Sequence, residues 1–438
     1  MKLPESILRC LQRLEQAGFE AWCVGGCVRD HLLGITPHDH DLCTNATPAQ
    51  LKALFADHDL VLSGEKHGTV TVIVDHSPVE ITTFRTEGGY RDGRHPDWVR
   101  FVTSLKDDLS RRDFTVNAMA WSPSRGLSDP FGGQQDLKQH ILRAVGDPSA
   151  RFLEDALRIL RGVRFAARFG LTPDPATEEA MLRLAPAMDT LARERVKAEL
   201  WGFLPYATAE DLFRWETVIT AVIPELKATV GFSQHNRHHL YDVYTHTAYV
   251  VENCPPDPTL RMAALLHDVA KPACFTVDEK GQGHFYGHEE QSALVAGVIL
   301  NRLRCSNEEK SRITALIRRH MSLLTPERKL LRRHMCQYGE QGLRDQLALQ
   351  RADRIGTGTG SLEAQEAAEA CLAALLEEES CLQLKDLAVN GRDLMALGYA
   401  GREIGLCLSA LLELVLEERL PNRREALLEE AVRQRKGE

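Results

Sequence analysis

The chain carries Val24-Gly25-Gly26-Cys27-Val28-Arg29-Asp30 and, soon after, His38-Asp39-His40-Asp41-Leu42. An apolar strand that stops at paired glycines and turns into a helix leaves backbone N–H groups free at the helix start, where they can hold a triphosphate. Gly25 and Gly26 are the expected cradle, and Arg29 is expected to add charge-assisted hydrogen bonds to the phosphates. Asp39 and Asp41 stand two apart, so on an extended strand their side chains project from one face, where two carboxylates can hold hard cations. That geometry suits two-metal phosphoryl or nucleotidyl transfer. An Asp-x-Asp pair alone is as much at home in a surface turn; the segments that follow decide.

Val79-Glu80-Ile81-Thr82-Thr83-Phe84-Arg85 reads as a strand whose Glu80 supplies a third acidic group near the metals. Arg111-Arg112-Asp113-Phe114-Thr115-Val116-Asn117-Ala118 supplies a basic pair suited to clamping phosphate or sugar, with Arg112 the expected nucleotide contact. Short β-rich runs at 20–24, 69–74 and 79–83, broken by Gly, Asp and Pro, make residues 1–145 an α/β head. Helical periodicity takes over from residue 150, which gives a neck and body at 146–228. Histidines concentrate in 229–360, and 361–438 is a Leu/Ala/Glu-rich helical tail. The expected class is α+β.

These motifs resemble, in order, those of the class II tRNA nucleotidyltransferases, the bacterial CCA-adding enzymes of the DNA polymerase β superfamily. The resemblance rests on G-G-x-V-R-D, the D-x-D pair, E-x-x-T-F-R-T, R-R-D-F-T-V-N-A and Glu154-Asp155-Ala156-Leu157-Arg158 with Arg161 and Arg164. It implies a polymerase-β-like head that adds CCA to the 3′ end of tRNA from CTP and ATP with Mg²⁺. Asp155 and Arg158, placed one turn apart on a single helix, would read the incoming base. A carboxylate accepts from an exocyclic amine and a guanidinium donates to ring acceptors, so cytosine and adenine fit. Arg161 and Arg164 would contact phosphate or tRNA, and Arg193, Arg195 and Glu199 would stiffen the neck. The residue-level alternative for Asp155 and Arg158 is a solvated ion pair.

The Gly-rich polar loop 87–96 is of the kind that CCA-adding and A-adding members keep, and is expected to help the pocket change from cytosine to adenine. An A-adding enzyme or a poly(A) polymerase is the alternative, although Gly64-Glu65-Lys66-His67-Gly68-Thr69-Val70 stands where a tailing enzyme would carry a G-R-R-F-type stretch.

In the middle of the chain, His246, His267-Asp268, His284, His288, His320 and Asp353 resemble the ordered ligands of an HD-family metal hydrolase. Imidazoles and carboxylates together suit Mn, Fe, Ni or Zn better than Ca. The run Ala263-Ala264-Leu265-Leu266-His267-Asp268 ends an apolar helix on polar groups whose burial without a metal would be costly. The resemblance implies a phosphohydrolase or cyclic phosphodiesterase; that this is the main activity is an alternative of a different class. His235, His238 and His239 belong either to a pocket mouth or to a plain loop. By position the tail, with Asn390-Gly391-Arg392-Asp393, is a candidate for holding the tRNA elbow.

Composition narrows the partners. In 438 residues, 43% are hydrophobic and the formal charge is −9, so bulk positive charge does not bind nucleic acid here and contacts are confined to local basic faces. DNA is not an expected partner. No run of about 18 apolar residues and no basic-then-apolar start appear, so neither membrane insertion nor export is expected. The 11 cysteines form no C-x-x-C pair. Reduced thiols in a cytoplasmic protein are expected, with Cys23 and Cys27 as packing.

Overall fold

The computed structural model describes residues 1–37, 39–88, 98–235, 240–359, 361–377, 384–417 and 419–436. Most of the loop 87–96 and His238 and His239 therefore lie outside the described residues. The chain divides into two compact units: Met1–Ala207 with Asp211–Pro224, and Thr208–Glu210 with Glu225–Glu438.

The first unit is built on a seven-stranded sheet in the order β3-β4-β5-β2-β1-β8-β9. Its strands are β1 (Ala21–Val24), β2 (Asp41–Thr44), β3 (Asp59–Val61), β4 (Thr69–Val74) and β5 (Ser77–Thr83), with β8 (Ala120–Ser122) and β9 (Gly126–Ser128) at one edge. A separate antiparallel ribbon joins β6 (Arg85–Gly88) to β7 (Trp98–Phe101). Every residue of β1 is buried, as expected of a central strand covered on both faces. β4 alternates, burying Val70, Val72 and Val74. The first helix, Glu5–Gln16, buries Ile7, Cys10, Leu11 and Leu14, the i, i+3, i+4, i+7 stripe of an amphipathic helix. Cys23 and Cys27 are buried and unpaired.

Two register facts position the site. β1 pairs antiparallel with β2 so that Val24 faces Asp41, which sets the glycine turn beside the aspartates. β5 pairs parallel with β2, Leu42 opposite Ile81, so Glu80 comes alongside Asp41 on the same face.

Helices Pro148–Glu154, Leu157–Phe169, Pro175–Leu184 and Arg193–Phe203 complete the unit. Asp155 and Arg158 were expected on one helix, and the structure corrects this. The helix Pro148–Glu154 stops, Asp155 is extended (φ −145, ψ 102), and a second helix starts at Leu157. The Asp155 carboxylate accepts from the Leu157 N–H, the local side-chain bond through which Asp favours a helix start over a helix interior. Gly162 permits a close approach, since a Cβ there would lie 2.8 Å from Met181 Cε and 2.9 Å from Phe114 Cζ.

The second unit is helical. Val243–Asn253, Pro258–Leu266, His288–Arg302, Asn307–Arg319 and Arg328–Gly356 form its body, the last with a break at Gly339 (φ 72). Asp242, Asp257 and Ser306 cap the starts of three of them. The tail helices Gly391–Ala396, Arg402–Leu416 and Arg424–Lys436 close around their own apolar cluster, including Leu394, Leu411 and Leu427. Among the described residues no helix is long and apolar enough to cross a membrane.

Candidate functional site

In the first unit Asp39, His40, Asp41 and Glu80 line one cavity of about 600 Å³, together with Ser6 and Ile7 of the first helix. Solvent reaches Asp41, yet the protein behind it withdraws water, and this desolvation pushes its carboxyl above the ordinary value. Arg112 pulls the other way, and the charge of Asp39 adds to the upward shift. A cation at this point would relieve both desolvation and repulsion. Glu80 is exposed on the neighbouring strand. Among the described residues these three carboxylates do not form a tight three-donor cluster, and Glu80 stands in the cavity wall alongside them.

The glycine turn is only partly the expected cradle. Gly25 adopts φ +73, open to glycine, and a Cβ there would lie 2.7 Å from Arg112 Nη1. Its own N–H donates to Met119 O and is not available to a ligand. Gly26 starts the short helix Gly26–Leu32. Arg112 thus lies against the turn and beside Asp41, where a phosphate-clamping cation belongs.

Arg29 lies elsewhere than expected. It is 6% exposed, donates Nε and Nη2 to Asp30 Oδ1 (2.9 and 2.6 Å) and Nη1 to Asn117 Oδ1 (2.5 Å), and lies over the rings of Phe165 and Phe169 at 5.2 and 4.3 Å. In this arrangement it joins the head to the helix Leu157–Phe169 and does not face the cavity.

The neck residues form a buried polar network in place of an open binding face. Asp155 Oδ2 accepts from Arg195 Nη2 (2.8 Å). Arg158 is buried and donates to Arg151 O, Glu154 Oε2 and Arg111 O at 3.0, 2.7 and 3.0 Å. The alternative Asp155–Arg158 ion pair is not what forms: each side chain takes the partners just named. Arg161 donates to Asp113 Oδ2 (2.8 Å), and Arg164 donates to Glu199 Oε2 (2.6 Å) and covers the Phe165 ring. Burial alone would raise the Asp113 carboxyl, but Arg161 together with the Asn117 and Phe114 donors brings it down to about 2. Asp113 was within the quoted motif yet carried no expected role. The signal that could have found it is the run of arginines on the next helix, whose burial demands carboxylates from elsewhere in the fold.

The second unit holds a tighter cluster. His246 lies on the helix Val243–Asn253, His267 and Asp268 follow Pro258–Leu266, His288 starts its helix, His320 ends Asn307–Arg319, and Asp353 lies on Arg328–Gly356. Their donor atoms form two buried triads that share Asp268: His246, His267, Asp268 and Asp268, His288, His320. Asp353 Oδ1 is 3.0 Å from His246 Nε2 and 3.6 Å from His267 Nε2. Lys271 Nζ lies 2.7 Å from Asp268 Oδ2. Burial opposes it, but His267 and Lys271 hold the Asp268 carboxyl well below the ordinary range.

Hydrogen bonding sets the tautomers. His267, His288 and His320 each donate Nδ1–H to a backbone carbonyl, of Ala264, Phe285 and Ile317, at 2.7, 2.7 and 2.6 Å. Their Nε2 lone pairs therefore point inward, the orientation that metal-binding histidines take from such partners. His246 and His267 bring Nε2 atoms within 3.3 Å, as do His288 and His320. Facing lone pairs at that separation call for a cation or proton between them, so the donor set fits metal ions. His284 is the exception among the expected ligands. It lies outside both triads, with Nε2 3.1 Å from Asp278 Oδ2 and its ring stacked on Tyr286.

Comparison with known proteins bears on both units. Residues 21–143 match the poly(A) polymerase head domain family, and 289–431 match tRNA nucleotidyltransferase domain 2, a match that starts inside the histidine-rich segment and runs into the tail. A CCA-adding enzyme of Lactiplantibacillus plantarum is 35% identical over 433 residues, covering 96% of this chain and 93% of that one. One from Limosilactobacillus fermentum is 49% identical over 189 residues, 43% of this chain and 47% of that enzyme. Among solved structures, the Bacillus stearothermophilus CCA-adding enzyme in complex with CTP is 27% identical with a TM-score of 0.73, covering 100% and 99% of the two chains. With the aspartate-lined cavity at the end of the expected sheet and a relative this similar along nearly its whole length, the chain belongs to the CCA-adding enzymes, a family of nucleotidyltransferases.

Proposed function

We propose that this chain completes the 3′ end of tRNA with C, C and A, taking CTP and ATP in turn without a nucleic-acid template. The observation that carries the reading is the strand register that brings Asp39, Asp41 and Glu80 to one cavity and sets the glycine turn, with Arg112 against it, next to Asp41. Asp39 and Asp41 would hold Mg²⁺, which when bound neutralises triphosphate charge and polarises the reacting phosphorus. Arg112 offsets charge on the triphosphate and Glu80 borders the same space. Asp155 and Arg158 set base choice, in which case nucleotide entry exchanges their present partners, Arg195 and the backbone of Arg151 and Arg111, for base edges. Arg29, Arg161 and Arg164 fix the angle between sheet and neck helix. The head is assigned to 1–145, the neck to 146–228, the metal-binding segment to 229–360 and a tRNA-holding tail to 361–438, and the substrates point to the cytoplasm.

A second reading rests on the two triads: residues 229–360 form an HD-type phosphohydrolase holding a transition metal such as Mn, Ni, Fe or Zn. His246, His267, Asp268, His288, His320 and Asp353 would ligate, and the metal when bound supplies an activated water. Lys271 pins the shared aspartate. The cavity over the cluster is about 450 Å³, within the range of small-molecule sites.

One experiment separates the two. Wild type, Asp41→Ala and Asp268→Ala are given tRNA lacking CCA with labelled CTP and ATP and, separately, 2′,3′-cyclic nucleotide with Mn²⁺, and metal content is measured. Asp41→Ala loses incorporation only; Asp268→Ala loses metal and hydrolysis only. Incorporation by Asp41→Ala at the wild-type rate overturns the first reading, and a wild type that binds no transition metal overturns the second.

A further inference from the structure

The cavity over the His/Asp cluster has an unusual mouth. Tyr286 is 77% exposed, beside Met321 and Leu323, which are 53% and 70% exposed. Three open apolar side chains at one cavity mouth are more than the scattered single residues that a surface normally carries. The Tyr286 ring is also held in place. The His284 ring lies parallel to it, centroids 5.2 Å apart and planes 8° apart, and Asp278 fixes His284 from behind at 3.1 Å.

The ribbon that bears them is anchored as well. Thr276–Val277 pairs with Gly283–His284, Gly283 N–H donates to His235 O, and a Cβ at Gly283 would lie 2.5 Å from Gln234 O. Phe285, between His284 and Tyr286, turns inward onto Phe275 at 5.4 Å. Phe285, half-buried, is thus packed on Phe275, while Tyr286 is left open at the mouth.

From this we infer that Tyr286, backed by His284, is a stacking platform for a nucleobase, and that the cavity takes a ribonucleotide phosphate ester with its phosphate toward the cluster. The inference rests on the phosphohydrolase reading for its chemistry but not for its binding contact. It gives His284 a positioning role in place of the ligand role that the resemblance to HD-family hydrolases implied. Every base offers a flat π-face, so the platform selects nucleotides over other phosphate esters without selecting one base. Arg354, in the cavity wall one residue beyond Asp353, is placed to attract the anion. The nucleotide could be free or be the last residue of an RNA, and the chemistry is the same.

The test is calorimetric binding to the full-length chain supplied with Mn²⁺, using adenosine 2′-phosphate, an RNA trimer with a terminal 2′-phosphate, and ribose 5-phosphate, which lacks the base. Base stacking on an aromatic ring supports a preference of about tenfold for a base-bearing ligand over ribose 5-phosphate. Tyr286→Ala should remove that preference and leave ribose 5-phosphate binding and metal content unchanged; Tyr286→Trp should keep it. His284→Ala should weaken the preference with metal content intact. Preference for the trimer alone assigns the platform to RNA ends, and equal preference assigns it to nucleotides at large; either supports the inference. A wild type that does not discriminate, or a Tyr286→Ala that still does, overturns it, and metal loss in His284→Ala restores His284 to the ligands. If the protein discriminates but hydrolyses neither ester, the hydrolase reading falls and the platform stands.

Discussion

Asp113 is the carboxylate on which the junction of sheet and neck depends, and Asp113→Asn removes its charge at nearly constant volume. Its carboxyl sits at about 2 in the folded chain against an ordinary 3.8. At about 1.4 kcal/mol per pH unit, that difference amounts to roughly 2 kcal/mol. The variant also leaves Arg161, whose side chain is about a third exposed, with Glu199 Oε1 at 3.7 Å as its remaining carboxylate partner among the described ion pairs; solvent screens that loss, so the total should be about 2–3 kcal/mol. The sign follows from the depressed value. The stabilisation is fully present above the unfolded pKa of 3.8, and it is lost as pH falls through the folded value near 2. The five tryptophans, Trp22, Trp98, Trp121, Trp201 and Trp215, all lie in the first unit, so tryptophan fluorescence in urea follows that unit alone. The expected result is a constant stability gap between wild type and Asp113→Asn from pH 7 down to pH 5. The double variant with Arg161→Met should recover part of the loss. A gap under about 1 kcal/mol at pH 7, or one that closes between pH 7 and 5, would refute the reasoning.

Asp39→Ala should abolish nucleotide incorporation while tRNA binding, measured by filter retention, stays near the wild-type level, because the side chain is exposed at the cavity and not part of the core. Arg158→Ala should relax the choice among CTP, ATP, UTP and GTP and also cost about 2–4 kcal/mol, since its guanidinium is buried in three hydrogen bonds; a uniform fall in rate with selection unchanged would make it purely structural. Shortening the segment between β6 and β7 should stop addition after the second C, seen by sequencing product 3′ ends, and equal loss of C and A would exclude a role in the switch. His267→Ala should lose transition metal by elemental analysis yet keep CCA addition; loss of addition in the folded variant would mean the two sites are not independent.

The head was legible in the sequence because its decisive features are local. Two glycines at a strand end, two aspartates with a period-2 spacing and an alternating Val70, Val72, Val74 stripe act through neighbours a few residues away, and periodicity records such relations. The grouping of histidines and aspartates in the second unit was legible in part for a related reason. His267 and Asp268 end an apolar run, where polar groups are costly to bury unless other polar groups meet them.

What the sequence could not fix is where a long side chain goes once several elements surround it. Arg29, Arg158, Arg161 and Arg164 are cations in the right segments. Whether each faces a phosphate or a buried polar partner depends on groups such as Asp113, Asn117 and Glu199, with Asn117 88 residues away from Arg29 and Glu199 35 from Arg164. Their guanidiniums turned inward because burial of a charge is tolerated only with such partners in reach. His284 shows the same limit in reverse: the resemblance to HD-family hydrolases implied a ligand, but the ribbon from Thr276 to His284 sets its ring against Tyr286 and Asp278. Residue chemistry and short-range spacing determined which groups this chain brings to its sites; only the packing of elements distant in sequence decided which of them face a cavity and which hold the fold.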